Sequence, residues 1–236
     1  MARCIADLIK QKAEVIMFAR KPLLGFLALL ATTPHAQAER MALPLALPQG
    51  AQICDLQGWA YSNGLAEVVL RQSPDKASKA LGIVPVDAPP NAASHGNMLY
   101  PAEVTVTQYD SGWLKVSALR DLENGEAARA LPPTPGWIEA NAIRFNIQSG
   151  HGYEAPDTAS KVIIDMKDEW ATEVGEIEQV HACQGDWVLV DYRQTLTRDA
   201  QNALVPLAAE KQFRKQAWFR NTCGDFFTTC DRQMDQ

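Results

Sequence analysis

Apolar residues beyond position 51 recur in short runs that alternate with polar residues, and turn residues separate the runs. In residues 104–109, Val104 and Val106 alternate with threonines, which is the period of a half-buried strand. Residues 110–112, Asp-Ser-Gly, have turn chemistry, and the chain returns through residues 113–116, so the pattern predicts a β-hairpin. Short strands, many turns and no long amphipathic helix after residue 38 together predict an all-β fold.

The chain also repeats itself. Residues 73–79 (Ser-Pro-Asp-Lys-Ala-Ser-Lys) are nearly the same as residues 155–161 (Ala-Pro-Asp-Thr-Ala-Ser-Lys), and each copy precedes a Trp-containing hairpin and a later Trp strand. The landmarks recur at offsets of 82, 74 and 81 residues: Pro74 with Pro156, Trp113 with Trp187, and Trp137 with Trp218. Three landmarks in one order predict two copies of one small unit, in residues 52–147 and 148–236.

The first copy carries an ordered set of motifs. These are an apolar strand ending in Arg71, a small residue before Pro74, an apolar residue before Gly82, Gly-Trp-x-x-Val in residues 112–116 and Gly-Trp-Ile in residues 136–138. The set resembles bacterial Src-homology-3-like domains. The second copy departs from it, with Glu154 in place of the arginine and Ala217 in place of the last glycine.

This resemblance implies two tandem small Src-homology-3-like β-barrels of five to six strands. The family occurs in exported bacterial proteins that bind peptidoglycan or peptide partners and that often accompany cell-wall hydrolases. It therefore implies a binding role without chemistry of its own, and no cofactor.

The first 38 residues are predicted to be a cleaved signal peptide. Arg20 and Lys21 precede an apolar run in residues 22–31, and Ala36-Gln37-Ala38 is a typical cleavage site. The apolar run is too short to span a bilayer. Translation is expected to start at Met1 or, with a more typical leader, at Met17. Residues 39–51 then form an extended, proline-punctuated lead-in, and the mature protein is expected to be periplasmic or secreted.

Charge limits the choice of partners. The 236-residue chain has a net charge of −6, and removal of residues 1–38 leaves 17 of the 22 basic and 26 of the 28 acidic residues, a net charge of −9. Such acidity argues against nucleic acid and against anionic lipid surfaces as partners. It is compatible with a basic protein partner, and no stable membrane insertion is expected after signal cleavage.

Four cysteines remain after the leader: Cys54, Cys183, Cys223 and Cys230. An even set in an exported chain favours disulfides. We favour Cys223–Cys230, which closes a short loop, together with Cys54–Cys183, which ties the two repeats. A Cys183–Cys223 bridge is the main alternative.

The sequence offers little catalytic chemistry. His181 and Cys183 lie two positions apart, which on a regular strand places them on one face, so a nucleophilic pair is conceivable. A disulfide cysteine beside a surface histidine is the favoured interpretation. Neither the histidines nor the cysteines match a zinc template, and phosphate-binding glycine loops are absent. We predict no catalytic residues, metal ligands or cofactor.

Aromatic residues are the better indication of function. Trp residues in predicted strands are expected to fill small cores: Trp59, Trp113, Trp137, Trp187 and Trp218. Tyr109 and Trp137 are the ones most expected to line an aromatic groove for a peptide or glycan. Trp170 lies in a polar loop and, if exposed, would mark a contact surface.

The leading hypothesis is an exported, non-enzymatic binding protein that recognises peptidoglycan or a cell-envelope protein. The alternative is a periplasmic inhibitor or immunity-type protein that neutralises a wall-degrading enzyme. A Cys183-dependent hydrolase is a distant third.

Overall fold

A computed structural model describes residues 45–86, 100–121, 128–167 and 169–224, and about half of these residues lie in β-strands. The expected all-β class is confirmed. The strands, numbered in chain order, are β1 Gln52–Ala60, β2 Val68–Arg71, β3 Ala80–Val84, β4 Glu103–Asp110, β5 Trp113–Arg120, β6 Gly136–Glu139, β7 Ile143–Arg144, β8 Asn146–Ile147, β9 His151–Tyr153, β10 Val162–Asp165, β11 Gly175–Gln184, β12 Trp187–Gln194, β13 Leu196–Arg198, β14 Leu204–Pro206, β15 Phe213–Phe219 and β16 Thr222–Cys223. A short helix, α1, spans Ala171–Val174, and 3-10 turns span Ala140–Ala142 and Ala209–Lys211. The predicted signal peptide, residues 1–38, lies outside the described residues.

Two antiparallel sheets carry the fold. The first has the strand order β3-β2-β6-β5-β4-β1-β7, and the second has the order β10-β9-β15-β12-β11. Two small pairs, β13-β14 and β16-β8, complete the described strands. Hydrogen bonding does not close either sheet into the expected barrel within the described residues, because the strands at both edges of each sheet pair on one side only.

The two sheets have the same internal order. Strands β3-β2-β6-β5-β4 correspond one by one to β10-β9-β15-β12-β11. The loops at residues 72–79 and 154–161 are held by the same contacts at an offset of 82 residues. In each loop an Asp Oδ1 accepts a hydrogen bond at 2.9 Å from the backbone N–H two residues on, which is Ala77 to Asp75 in the first loop and Ala159 to Asp157 in the second. In each loop the backbone N–H of the residue before the proline also donates to a serine hydroxyl, which is Ser73 to Ser78 in the first loop and Ala155 to Ser160 in the second.

The register corrects one comparison between the copies. Arg71 pairs with Trp137, and Tyr153 pairs with Trp218, so Tyr153 occupies the position of Arg71. The sequence comparison placed Glu154 there. That alignment was shifted by one residue. Glu154 corresponds to Gln72, because its backbone N–H donates to Lys161 as that of Gln72 donates to Lys79.

The N-terminal half of β1 joins the two sheets. Cys54 and Cys183 form a disulfide with a Cα–Cα distance of 5.5 Å, which confirms the favoured pairing and excludes Cys183–Cys223. Beside it, the N–H of Asp55 donates to the carbonyl of Gly185 at 2.6 Å, and the N–H of Gly185 donates to Ile53 at 2.9 Å. Cys223 is also in a disulfide, and its predicted partner Cys230 lies outside the described residues.

One main core runs through both repeats, from Leu56 in β1 to Phe219 in β15. Tyr192 is fully buried in it, and its hydroxyl donates to the carbonyl of Ala171 at 2.8 Å. Burial raises the pKa of Tyr192 far above its usual value, because the phenolate would lose its hydration. Below the ordinary pKa of tyrosine, the buried phenol makes its full contribution to the free energy of unfolding. That contribution is lost as the pH rises from the ordinary pKa toward the higher pKa of the folded state.

We expect the free energy of unfolding to fall above about pH 10, where the unfolded chain can ionise Tyr192 and the folded chain cannot. Tyr192→Phe should lose less stability than the wild type over the same interval. Urea unfolding at about pH 9 and about pH 11 measures this difference. Tyr109, whose pKa burial also raises, remains in both proteins and contributes equally to the pH dependence of each. Equal losses in the two proteins would contradict the assignment.

Candidate ligand-binding cleft

A cleft of about 320 Å³ opens where the two repeats meet. Its walls come from the end of β1, from the β7–β8 segment, from α1 and from the beginning of β11. The lining side chains that combine aromatic, charged and polar character are Trp59, Tyr61, Arg144, Asn146, Thr172 and Glu176. A volume of this size is at the lower end of pockets that hold small ligands.

Strand pairing positions two aromatic residues of the cleft, Trp59 and Tyr61. Trp59 pairs with Arg144 across β1 and β7, and the N–H of Tyr61 donates to the carbonyl of Ala142 at 2.9 Å. Trp59 and Tyr61 lie two residues apart, so an extended backbone turns both toward the same side. Both side chains are half-buried. Both side chains line the cleft.

Helix α1 forms the opposite wall. The N–H of Ile147 donates to Thr172 Oγ1 at 2.9 Å, which ties the helix to β8. The chain then leaves α1 directly into β11 at Gly175, and Glu176 follows at the mouth of the cleft. Glu176 is mostly exposed and pairs with Arg193 at 2.8 Å.

Arg144 is the central charge of the cleft. Its guanidinium carbon lies 4.4 Å from the centroid of the Tyr61 ring, a cation–π contact. Its Nη1 donates to the carbonyl of Ile143 at 3.1 Å and to Asn141 at 3.3 Å. Burial lowers the pKa of Arg144, and the negative potential of Tyr61 and Glu176 opposes that shift.

A guanidinium keeps its proton in proteins, so Arg144 is a fixed cation with donors available for a carboxylate or phosphate. The aromatic rings suit sugar rings or apolar side chains, and Glu176 suits an amine. The arrangement can hold a small ligand that carries both apolar faces and charges of either sign.

The sequence-predicted site residues do not line this cleft. Tyr109 pairs with Leu114, which pairs with Ile138, and this row faces the core. Tyr109 is 8% exposed. Trp137 is the neighbour of Ile138 and so faces the opposite side of the sheet, where Lys115 Nζ lies 5.9 Å from its ring centroid. The two side chains therefore do not share one groove.

Trp170 is half-buried and lies immediately before α1. Its carbonyl accepts hydrogen bonds from the N–H groups of Glu173 at 3.0 Å and Val174 at 3.3 Å. Its backbone therefore helps to begin the helix.

The prediction that His181 and Cys183 lie on one face of their strand is wrong. The register of β11 shifts between Val180 and Ala182, which breaks the two-residue period at His181. His181 Nε2 lies 2.9 Å from Asp191 Oδ2, at ion-pair distance without hydrogen-bond geometry, whereas Cys183 lies in the main core. Because its sulfur is in a disulfide, Cys183 has no thiolate to act as a nucleophile.

Within residues 45–86, 100–121, 128–167 and 169–224, no group of three or more His, Cys, Asp or Glu side chains is placed to hold a metal ion. The helices in that part of the chain are all too short or too polar to cross a membrane.

No family model, no curated protein and no solved structure matches the chain.

The sequence predicted a core position for Trp59 and did not single out Tyr61, Arg144 or Glu176 as site residues. One signal was present. Arg144 and Asn146 alternate with Ile143, Phe145 and Ile147, which places a cation and an amide on one face of an otherwise buried segment.

Proposed function

We propose that this chain is an exported binding protein of two Src-homology-3-like units whose junction cleft holds a fragment of peptidoglycan. The observation that carries the proposal is the combination of Trp59, Tyr61 and Arg144 in one cleft. Sugar rings stack on aromatic faces, and the stem peptides of peptidoglycan carry free carboxylates that a guanidinium binds. The repeated strand order and the matched loops support the assignment of both units to one fold.

Arg144 and Tyr61 supply the test. Arg144→Gln should weaken binding of a soluble disaccharide–tetrapeptide fragment about tenfold or more, because a charge-assisted hydrogen bond contributes about 1.5–3 kcal/mol. Tyr61→Leu should weaken it through loss of the ring face. Isothermal titration calorimetry measures the fragment, and co-sedimentation with purified sacculi measures the polymer.

Arg120→Gln is the matched control, because Arg120 is an exposed arginine of the same repeat that does not line the cleft and that lies 3.9 Å from Glu103. It should bind like the wild type. Near-UV circular dichroism confirms that each variant is folded. Wild-type protein that neither sediments with sacculi nor binds the fragment would overturn the proposal, and so would equal affinities for Arg144→Gln and Arg120→Gln.

The inhibitor or immunity-type alternative gives a different result. It predicts no binding to sacculi and a stable complex with a wall-degrading enzyme whose activity falls on mixing. The acidic chain is the feature that favours a basic partner of this kind.

A further inference from the structure

A second apolar cluster lies on the outer side of the second sheet. Its members are Tyr153, Ala182, Trp187, Leu189 and Trp218, each 9% exposed or less, and we refer to them as the aromatic face. Leu189 pairs with both Ala182 and Trp218, while its neighbours Val188 and Val190 belong to the main core. The aromatic face therefore lies on the side of the sheet opposite the core. It shares no lining residue with the junction cleft.

The equivalent side of the first sheet keeps the two tryptophans, Trp113 and Trp137, but is polar at the other three positions. Register places Arg71 at the position of Tyr153, Gln108 at that of Ala182 and Lys115 at that of Leu189. The fold itself accepts polar residues there. The fold therefore does not require the apolar residues Tyr153, Ala182 and Leu189 at these three positions of the second copy.

One described residue of the lead-in, Leu45, lies on this face. Leu45 packs against the cluster, and its N–H donates to Gln216 Oε1 at 2.8 Å. Residues 46–51 are exposed, and Leu47 has half of its surface in solvent. The aliphatic side chain of Leu45 and the hydrogen bond of its backbone N–H thus attach this segment to the aromatic face.

Gln216 is oriented to accept such a bond. Its Nε2 lies 3.4 Å from Asp191 Oδ1, and Asp191 Oδ2 lies 2.9 Å from His181 Nε2. The carboxylate can only accept, so it directs the amide nitrogen of Gln216 toward itself and leaves Oε1 for a backbone N–H. Gln216 therefore offers a hydrogen-bond acceptor for a peptide backbone at the edge of the aromatic face.

We propose that the aromatic face is a peptide-binding surface and that the described lead-in, residues 45–51, occupies it in cis through Leu45 as a displaceable strap. The partner it fits is an extended peptide segment that places a leucine-sized aliphatic side chain against the aromatic face, as Leu45 does. The same segment donates a backbone N–H to Gln216. Such a partner competes directly with Leu45, so strap release controls access to the face.

The test uses the mature full chain and a fluorescently labelled peptide with the sequence of residues 42–50, Ala-Leu-Pro-Leu-Ala-Leu-Pro-Gln-Gly. Leu45→Asp should bind this peptide about tenfold more tightly than the wild type in fluorescence anisotropy, because the cis competitor loses its apolar contact. Leu47→Asp is the matched control and should bind like the wild type, since Leu47 faces solvent. The same peptide with aspartate at the Leu45 position should not bind.

Leu45→Ala provides a milder variant if the aspartate disturbs the fold, and it should give a smaller increase in the same direction. Gln216→Ala placed in the Leu45→Ala protein should then weaken peptide binding, because it removes the acceptor. Equal peptide affinities for the wild type and both Leu45 variants would overturn the proposal, as would no binding to any of them at millimolar peptide.

Discussion

Replacing Cys54 and Cys183 together with alanine is expected to lower the free energy of unfolding by about 2–5 kcal/mol. The two residues are separated by 129 positions, so the cross-link closes a very long loop and removes much of the conformational freedom of the unfolded chain. For a chain of this size the loss corresponds to a fall in Tm of roughly 5–20 °C. Urea unfolding monitored by Trp fluorescence measures it.

A double substitution with valine separates the two contributions of the disulfide. Both sulfurs are buried, so alanine removes packing as well as the cross-link, whereas valine restores most of the apolar volume. Valine should therefore recover only a minor part of the loss. If the valine protein were as stable as the wild type, the cross-link itself would contribute nothing.

The disulfide has a local consequence as well. The bonds between Ile53, Asp55 and Gly185 attach β1 to the turn between β11 and β12. Without the cross-link these bonds alone hold the contact, and amide hydrogen exchange at Asp55 and Gly185 should accelerate more than exchange in the centre of β12.

The sequence was most informative where local chemistry decides structure. The hairpin around residues 104–116 follows from alternation and an Asp-Ser-Gly turn, and β4 and β5 form it. The pairing of Cys54 with Cys183 followed from cysteine number and from the repeat. These features depend on short-range pattern or on simple counting.

Features that depend on register were less accessible. The shift in β11 separates His181 from Cys183, and nothing in the alternation around them signals an extra residue. Tyr109 and Trp137 lie in strands as expected, but which side each faces depends on the pairing through Leu114 and Ile138. The cleft depends on how α1 packs against β8, which is long-range packing that a single sequence does not encode in any local pattern.

Gly175→Ala is expected to lower the free energy of unfolding by about 3 kcal/mol. A Cβ at this position would lie less than 3.0 Å from the Tyr192 hydroxyl and from the carbonyl oxygen of Arg193. The backbone of Gly175 is extended, so the cost arises from crowding and not from its dihedral angles. The methyl group must displace Tyr192 from Ala171 or push β11 away from β12.

Gly64→Ala is the control, because a Cβ there would meet nothing within 4 Å, although φ is +77°. It should cost about 1 kcal/mol through backbone conformation alone. Chemical denaturation of both variants compares the two costs, and similar losses would contradict the crowding argument.

A double-mutant cycle locates the clash. In a Tyr192→Phe background the hydroxyl is absent, so Gly175→Ala should cost less than it does in the wild type, and the remaining cost reports the contact with the Arg193 carbonyl. Because Gly175 and Glu176 also line the cleft, displacement of β11 should weaken ligand binding at Arg144 in the same variant. The core packing of Tyr192 and the shape of the cleft are thus linked through one residue without a side chain.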